Sequence, residues 1–183
     1  MVRLVSLICL LVAAASLSAP LHAADAACPA WLDQDMRRLG STEVVNLCDE
    51  YFGKPILVVN TASNCGYTGQ FEGLEAMHQA YSAEGLQVIG FPSDSFFQEY
   101  DDEDKTADVC YLNYGVTFDM FAEIPVRGGS AHPLFAGLAA ETKAPSWNFF
   151  KYLIDAEGKV VQAFSSGVKP SDEELVAVIK SLL

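Results

Sequence analysis

The segment Lys54–Gln70, which reads KPILVVNTASNCGYTGQ, constrains the fold of this chain more than any other stretch. Ile56–Val59 is a short apolar run rich in β-branched residues, the pattern of a strand that is buried on both faces. A small polar turn follows, and apolar residues then recur at helical spacing from Phe71 onward, which predicts a helix over about 68–83. Cys65 therefore lies between a strand and a helix, where free N–H groups and the helix dipole favour an anion. This placement predicts that Cys65 is a nucleophile that reacts as its thiolate.

Strands and helices alternate along the rest of the chain, which predicts an α/β fold. Leu86–Phe91 is a second buried strand, and the strand–helix–strand unit that it completes predicts parallel strands joined by a right-handed crossover. A hairpin over 149–154 and 160–164 adds antiparallel strands, so we expect a mixed central sheet flanked by helices. The other expected elements are a strand over 42–47, an extended segment over 117–125, helices over 31–39, 103–114 and 133–142, and a last helix with a capping box at 171–174.

The first residues of the chain have the pattern of a secretory signal peptide. Arg3 precedes an uncharged run over 4–17, which is shorter than the ~20 residues of a membrane-spanning helix, and small residues follow. We therefore predict a signal peptide over 1–23, with cleavage between 23 and 26, and a periplasmic or secreted protein without stable membrane association. An uncleaved anchor is the alternative. Residues 24–40 then form an N-terminal extension, and residues 41–183 form the folded domain.

Cysteine usage fits an exported chain. One of the five cysteines, Cys9, lies in the predicted signal peptide, and four cysteines allow three pairings. Cys28 and Cys48 lie ahead of the motif strand, so their pairing is the most economical one and ties the extension to the domain; two unpaired thiols are the alternative. Cys65 and Cys110 are then the remaining pair. The formal net charge of −13 disfavours nucleic acid, and the isolated histidines lack metal-ligand spacing, so we expect no metal and no cofactor.

Two segments of the chain resemble the glutathione peroxidase family, which consists of thiol or selenol peroxidases with a thioredoxin-like fold. NTASNCGYT followed by QFEGLE is similar to the active-site segment of that family. WNFFKYL, at residues 147–153, is similar to the segment that carries the family's Trp-Asn pair. The resemblance extends from about 41 to 183. It implies a thioredoxin-like fold and a peroxidase that reduces hydrogen peroxide or organic hydroperoxides in oxidative-stress defence.

The resemblance also implies the residues of the site. Cys65 corresponds to the attacking thiol that becomes a sulfenic acid, and Trp147 and Asn148 correspond to N–H donors that assist it. A third donor, a glutamine, is missing, because the family's FPCNQF reads FPSDSF here and places Ser95 where the glutamine is expected. Gln98 or Asp94 could replace it, and this choice stays open at the level of sequence.

Cys110 resembles the resolving cysteine of two-cysteine members of the family, which are reduced by thioredoxin-type proteins; glutathione is the other expected reductant. A buried core cysteine is the alternative. Since the two thiols belong to different elements, we expect the helix over 103–114 to loosen on oxidation. A thioredoxin-like disulfide oxidoreductase is a competing function, but Thr68 occupies the place of the second cysteine of Cys-x-x-Cys. A non-catalytic peroxide sensor or binding module is the third possibility.

Overall fold

The computed structural model describes residues 27–183, so the predicted signal peptide lies outside the described residues. Within them, seven strands and five α-helices follow one another along the chain. The strands are β1 Asp35–Arg37, β2 Val44–Asn46, β3 Ile56–Thr61, β4 Gln87–Pro92, β5 Asp119–Met120, β6 Lys151–Ile154 and β7 Val160–Phe164. The α-helices are α1 Leu47–Tyr51, α2 Gln70–Tyr81, α3 Glu103–Ala107, α4 Pro133–Glu141 and α5 Glu173–Lys180. A π-helix, Asp108–Asn113, continues α3, and Ser82–Glu84 and Gly128–Ser130 are 3₁₀ turns.

The central sheet has five strands in the order β5-β4-β3-β6-β7. β3 pairs in parallel with β4 and β4 with β5, whereas β6 is antiparallel to both β3 and β7. The predicted mixed sheet, the parallel crossover unit and the C-terminal hairpin are therefore confirmed. β3 lies at the centre of the sheet, which explains why all six of its residues are buried.

Each face of this sheet is covered by helices, because successive residues of a strand point to opposite faces. On one face, Ile56 and Val58 belong to an apolar cluster that includes residues of α1 and α4. On the other face, Leu57 and Val59 belong to a cluster with residues of α2 and α5, and this cluster also contains Cys65 and Cys110. The candidate nucleophile and the candidate resolving cysteine thus lie on the same side of the sheet.

The N-terminal extension is not the helix that was predicted over 31–39. β1 lies within that range and forms a two-stranded antiparallel sheet with β2, which is itself shorter than the predicted strand over 42–47. The apolar residues that suggested a helix are buried by tertiary packing instead. Trp31 packs so closely against α4 that a Cβ at Gly137 would overlap the Trp31 side chain. A disulfide joins Cys28 to Cys48 in α1, as predicted.

Two details of the helices differ from the expectation. The helix over 103–114 is split into α3 and the π-helix that carries Cys110. α5 begins at Glu173 without the predicted capping box; the side chain of Asp172 accepts a hydrogen bond from the backbone N–H of Lys169 instead of capping the helix. Among residues 27–183, no helix is long and apolar enough to cross a membrane.

Candidate active site

Cys65 lies in a run of tight turns between β3 and α2. The side chain of Thr68 holds this turn, because its hydroxyl accepts a hydrogen bond from the N–H of Cys65 at 3.2 Å and lies 2.7 Å from the carbonyl oxygen of Cys65. The backbone N–H of Thr68 donates to the same carbonyl at 3.0 Å. Thr68, which occupies the place of the second cysteine of a Cys-x-x-Cys motif, therefore fixes the backbone of Cys65.

The sulfur of Cys65 is stabilised by a local backbone group rather than by the end of a helix. The Cys65 side chain is buried, and its Sγ accepts a hydrogen bond from the N–H of Tyr67 at 3.4 Å. α2 begins only at Gln70, so the predicted helix start at about residue 68 is two residues too early. Among the described residues, the Tyr67 amide is the group that donates a hydrogen bond to this sulfur.

Trp147 and Asn148 lie just before β6, which begins at Lys151. Asn148 is fully buried, and its Nδ2 donates a hydrogen bond to Oε1 of Gln98 at 3.1 Å. Trp147 is 39% exposed, and its ring centroid lies 5.3 Å from that of Phe96. No hydrogen bond joins Cys65 to either residue within the part of the chain that the structure describes. Instead, the backbone carbonyl of Gln98 accepts from the N–H of the residue before Cys65 at 2.9 Å, so Gln98 connects Asn148 to the cysteine turn.

Ser95 has a different environment from Gln98. Its hydroxyl accepts from the backbone N–H of Val126 at 3.0 Å and lies 3.0 Å from the hydroxyl of Ser93, which binds it into the loop. Of the two residues that could replace the missing glutamine, Asp94 accepts from a backbone N–H of the same loop through its side chain. Gln98 alone of these three residues bonds to Asn148, and its Nε2 donates to none of the described residues.

Cys110 is a buried free thiol on the π-helix. Its side chain is 1% exposed, and burial, together with the charge of Glu99, raises the pKa of this thiol to about 12. Cys110 is therefore protonated at neutral pH, which makes it a poor first attacker. The structure places it in the same apolar cluster as Cys65 without a bond between the two.

A buried lysine lies directly beside the candidate site. Lys151 is fully buried, and its Nζ donates to the carbonyl oxygen of Phe149 at 2.7 Å. Burial lowers the pKa of Lys151 to about 7, an effect that the charge of Asp172 partly opposes. Sequence reasoning did not predict that Lys151 is buried, because a lysine is almost never fully buried unless it is paired, even between apolar neighbours such as those at 149–154.

An aromatic cavity of about 410 Å³ opens next to the indole of Trp147. It is lined by Ser95, Phe96, Phe97, Arg127, Ser130 and Trp147. The guanidinium carbon of Arg127 lies 4.9 Å from the centroid of the Phe96 ring, and Phe97 is 90% exposed. Among residues 27–183, no group of three or more His, Cys, Asp or Glu side chains is arranged to hold a metal ion.

Comparison with known proteins agrees with this geometry. The family model for glutathione peroxidase matches residues 35–139, more than half of the chain. The chain belongs to the glutathione peroxidase family. A glutathione peroxidase of Lactococcus lactis is 45% identical over 147 residues, which cover 77% of this chain and 92% of that protein. A hydroperoxy fatty acid reductase of Synechocystis is 39% identical over 146 residues, which cover 73% and 85% of the two chains.

A solved structure, Trgpx in its apo form, superposes with a TM-score of 0.64 at 32% identity and covers 83% of this chain and 94% of its own. The thioredoxin-like fold predicted from the sequence is therefore confirmed, and membership of the glutathione peroxidase family identifies the enzyme as a thiol-dependent peroxidase. The matched range includes Cys65 and Cys110 and ends before Trp147 and Asn148, which the structure brings to the same region through Gln98.

Sequence reasoning overlooked Asn60, the first polar residue of the buried motif strand. The strand was predicted to end at Val59, but β3 continues to Thr61, and Asn60 is fully buried. A polar side chain that directly follows four buried apolar residues was the available signal, because buried amides are almost always hydrogen-bonded to something specific.

Proposed function

We propose that Cys65 is the peroxidatic thiol of this peroxidase. Its thiolate attacks one oxygen of the O–O bond, the bond breaks, and the sulfur becomes a sulfenic acid. The other oxygen leaves as water or an alcohol once it takes a proton. The N–H of Tyr67, which already points at the sulfur, supports this role because it stabilises the reacting anion without adding charge.

The observation that carries the proposal is the amide pair of Gln98 and Asn148, tied by the Gln98 carbonyl to the turn of Cys65. We propose that Gln98 supplies the amide that Ser95 does not. Its unpaired Nε2, the indole N–H of Trp147 and the second N–H of Asn148 are donors for the departing oxygen and for the sulfur. Preorganised neutral donors of this kind stabilise charge that develops in a transition state.

We propose Cys110 as the resolving cysteine. Its thiol condenses with the sulfenic acid of Cys65 to form a disulfide and release water. Both thiols are free in the folded protein and belong to different elements, so we propose that the helix of Cys110 opens before the two sulfurs meet. The π-helical geometry of this segment, which is frequent at functional sites, supports this motion. The opening has to break the hydrogen bonds of Glu99, whose carboxylate joins Ser63 in the cysteine turn to Thr106 in α3. A thioredoxin-like protein or glutathione then reduces the disulfide.

The preferred substrate that we propose is an organic hydroperoxide with an apolar body, in addition to hydrogen peroxide. The aromatic cavity beside Trp147 is lined by three aromatic side chains, and Arg127 supplies one cation for an anionic end group. The name of the Synechocystis relative, a hydroperoxy fatty acid reductase, is in line with such a substrate.

The decisive experiment compares peroxide consumption by the wild type, Cys65→Ser and Cys110→Ser with a dithiol protein as reductant. We expect no activity for Cys65→Ser. For Cys110→Ser we expect a normal first turnover, followed by a loss of about 10-fold or more in steady-state rate. Equal rates for the wild type and Cys65→Ser would refute the enzymatic role of this thiol and favour the sensor or binding module. Replacing the reductant by glutathione decides between the two donors.

We also propose that the protein is exported and serves in antioxidant defence outside the cytoplasm. The signal-peptide pattern of the first residues and the disulfide between Cys28 and Cys48 support this proposal. Fractionation of expressing cells tests it, since retention of the full-length chain in the cytoplasm would contradict export.

A further inference from the structure

Asn60 supplies hydrogen-bond partners for backbone groups at the point where the regular pairing of β3 with β6 ends. Its backbone N–H donates to the carbonyl of Phe150 at 3.3 Å, as in a regular antiparallel pair. Its backbone carbonyl, however, accepts from Phe149 at 2.6 Å rather than from Phe150. The N–H of Phe150, left without that partner, donates to the side-chain Oδ1 of Asn60 at 3.1 Å. One side chain thus replaces a missing rung of the sheet.

The other end of the same amide holds the segment that carries the candidate donors. The Nδ2 of Asn60 donates to the backbone carbonyl of Trp147 at 3.2 Å. The four hydrogen bonds of Asn60 therefore bracket Trp147, Asn148 and Phe149 on both sides. Asn60 lies on the strand that leads into the turn of Cys65, so it fixes the donor segment relative to the strand of the nucleophile.

Phe149 needs such support because its backbone is left-handed, with a φ of 62°, a conformation that side chains other than glycine rarely adopt. Its N–H is held by Asn60, its carbonyl by the Nζ of Lys151 at 2.7 Å, and its ring packs edge-on against Phe71 at 5.3 Å. A conformation of this kind persists only where the surroundings determine it from several directions.

We infer that Asn60 is a positioning residue of the peroxidase reaction, one that sets Trp147 and Asn148 relative to Cys65, and that Lys151 assists it by fixing Phe149. This inference rests on the proposed function. It assigns to a buried amide and a buried amine a task in catalysis that neither performs by touching the peroxide.

The test uses Asn60→Asp in the full-length chain with Cys110→Ser as background, so that only Cys65 reacts. The aspartate keeps an oxygen acceptor for Phe150 but places an oxygen opposite the carbonyl of Trp147, where a donor is required. We expect the second-order rate constant of Cys65 with hydrogen peroxide, followed by trapping of the sulfenic acid, to fall by about 10- to 100-fold. Alkylation of Cys65 by iodoacetamide, which needs no donor for a leaving oxygen, should stay within roughly 3-fold of the background protein.

Thr61→Val is the matched control, because Thr61 is the next buried polar residue of β3 and its hydroxyl has no hydrogen-bond partner among the described residues. It should change neither rate. If Asn60→Asp does not fold, Lys151→Met, which keeps all four bonds of Asn60, serves as the second variant, and we expect it to lower the peroxide rate by about 3-fold or more without lowering the melting temperature.

The outcomes separate the inference from the function on which it rests. A peroxide rate unchanged in Asn60→Asp, or in Lys151→Met if only that variant folds, overturns the inference while the proposed function stands. A parallel fall of the peroxide and iodoacetamide rates also overturns it, because the thiol itself would then have changed. No reaction of the background protein with peroxide at Cys65 would refute the proposed function instead.

Discussion

Lys151 should make the stability of this protein depend on pH in the neutral and weakly alkaline range. The lysine is neutral in the folded protein above about pH 7 but stays protonated in the unfolded chain up to its ordinary pKa of 10.5. Between these two values the unfolded state binds one more proton, so the free energy of unfolding rises with pH. Below about pH 7 the lysine is charged in both the folded and the unfolded state, and the cost of burying the charge then lowers the free energy of unfolding in full.

The magnitude follows from the two pKa values. Each pH unit within the window contributes about 1.4 kcal/mol, so the full burden of the buried charge is roughly 5 kcal/mol. From about pH 7 to about pH 9 the free energy of unfolding should therefore rise by roughly 2 kcal/mol from this group alone. The opposing effect of Cys110 begins only above that range, because its buried thiol keeps a proton that the unfolded chain releases from pH 9 upward.

Urea denaturation of the wild type and Lys151→Met at several pH values between about 7 and 9 measures this effect. The variant loses the hydrogen bond to the carbonyl of Phe149, an offset of about 1–3 kcal/mol that does not depend on pH. Since the avoided charge burial is larger, we expect Lys151→Met to be the more stable protein at pH 7 and to lose this advantage toward pH 9. Lys159→Met, at an exposed position of the same hairpin, is the control. Identical pH slopes for the wild type and Lys151→Met would refute the reasoning.

Three further predictions concern the site and its surroundings. Gln98→Glu keeps the acceptor for the buried amide but removes the free donor, so the peroxide rate constant should fall by roughly 10-fold or more; an unchanged rate would remove Gln98 from the mechanism. Arg37 binds Glu103 through two hydrogen bonds at the start of α3. Because Arg37→Met removes these bonds, it should speed disulfide formation between Cys65 and Cys110 by about 2- to 5-fold. Lys105→Met, on the exposed side of α3, should leave this rate unchanged. Arg127→Ala should raise KM for a long-chain hydroperoxide that carries a carboxylate by several-fold, because one exposed ion pair with that carboxylate is lost. KM for hydrogen peroxide should change little. Equal effects on both substrates would contradict the proposed binding of the carboxylate by Arg127.

The order of strands and helices in the core could be predicted from the sequence, because the apolar residues of a buried helix or strand recur with the period of that element. The apolar run before Cys65 and the stripe along α2 correspond to real elements, and the C-terminal hairpin has the predicted partners. The same reasoning was wrong for the N-terminal extension, where it predicted a helix over 31–39. Leu32, Met36 and Leu39 have a helical spacing, but β1 is fixed by antiparallel pairing with β2, and Arg38, which follows β1, forms a bridge with the distant Phe121. Such contacts leave no periodic signal.

The candidate site shows the same division between local and tertiary information. Cys65, Trp147 and Asn148 were recognisable because they belong to short motifs. The choice between Asp94 and Gln98 as the replacement for the missing glutamine was not, since it depends on the path of a loop that turns at Phe97. The burial of Lys151 was not predicted either, because a lysine is almost never fully buried unless it is paired, even in a strand whose other residues are apolar.

The backbone strain of the described chain is concentrated on the amide pair. Phe97 and Phe149 are the two residues other than glycine with positive φ between 27 and 183, at 59° and 62°. One directly precedes Gln98 and the other directly follows Asn148, the two residues whose side-chain amides bond to each other. Each left-handed residue costs on the order of 1–3 kcal/mol, and a folded chain under no functional constraint would use glycine at such positions. Together with the buried amine of Lys151, these features lower stability where the two loops that carry Gln98 and Asn148 meet. That distribution of strain is what a preorganised catalytic site requires, because donors held in advance need no rearrangement when the O–O bond breaks.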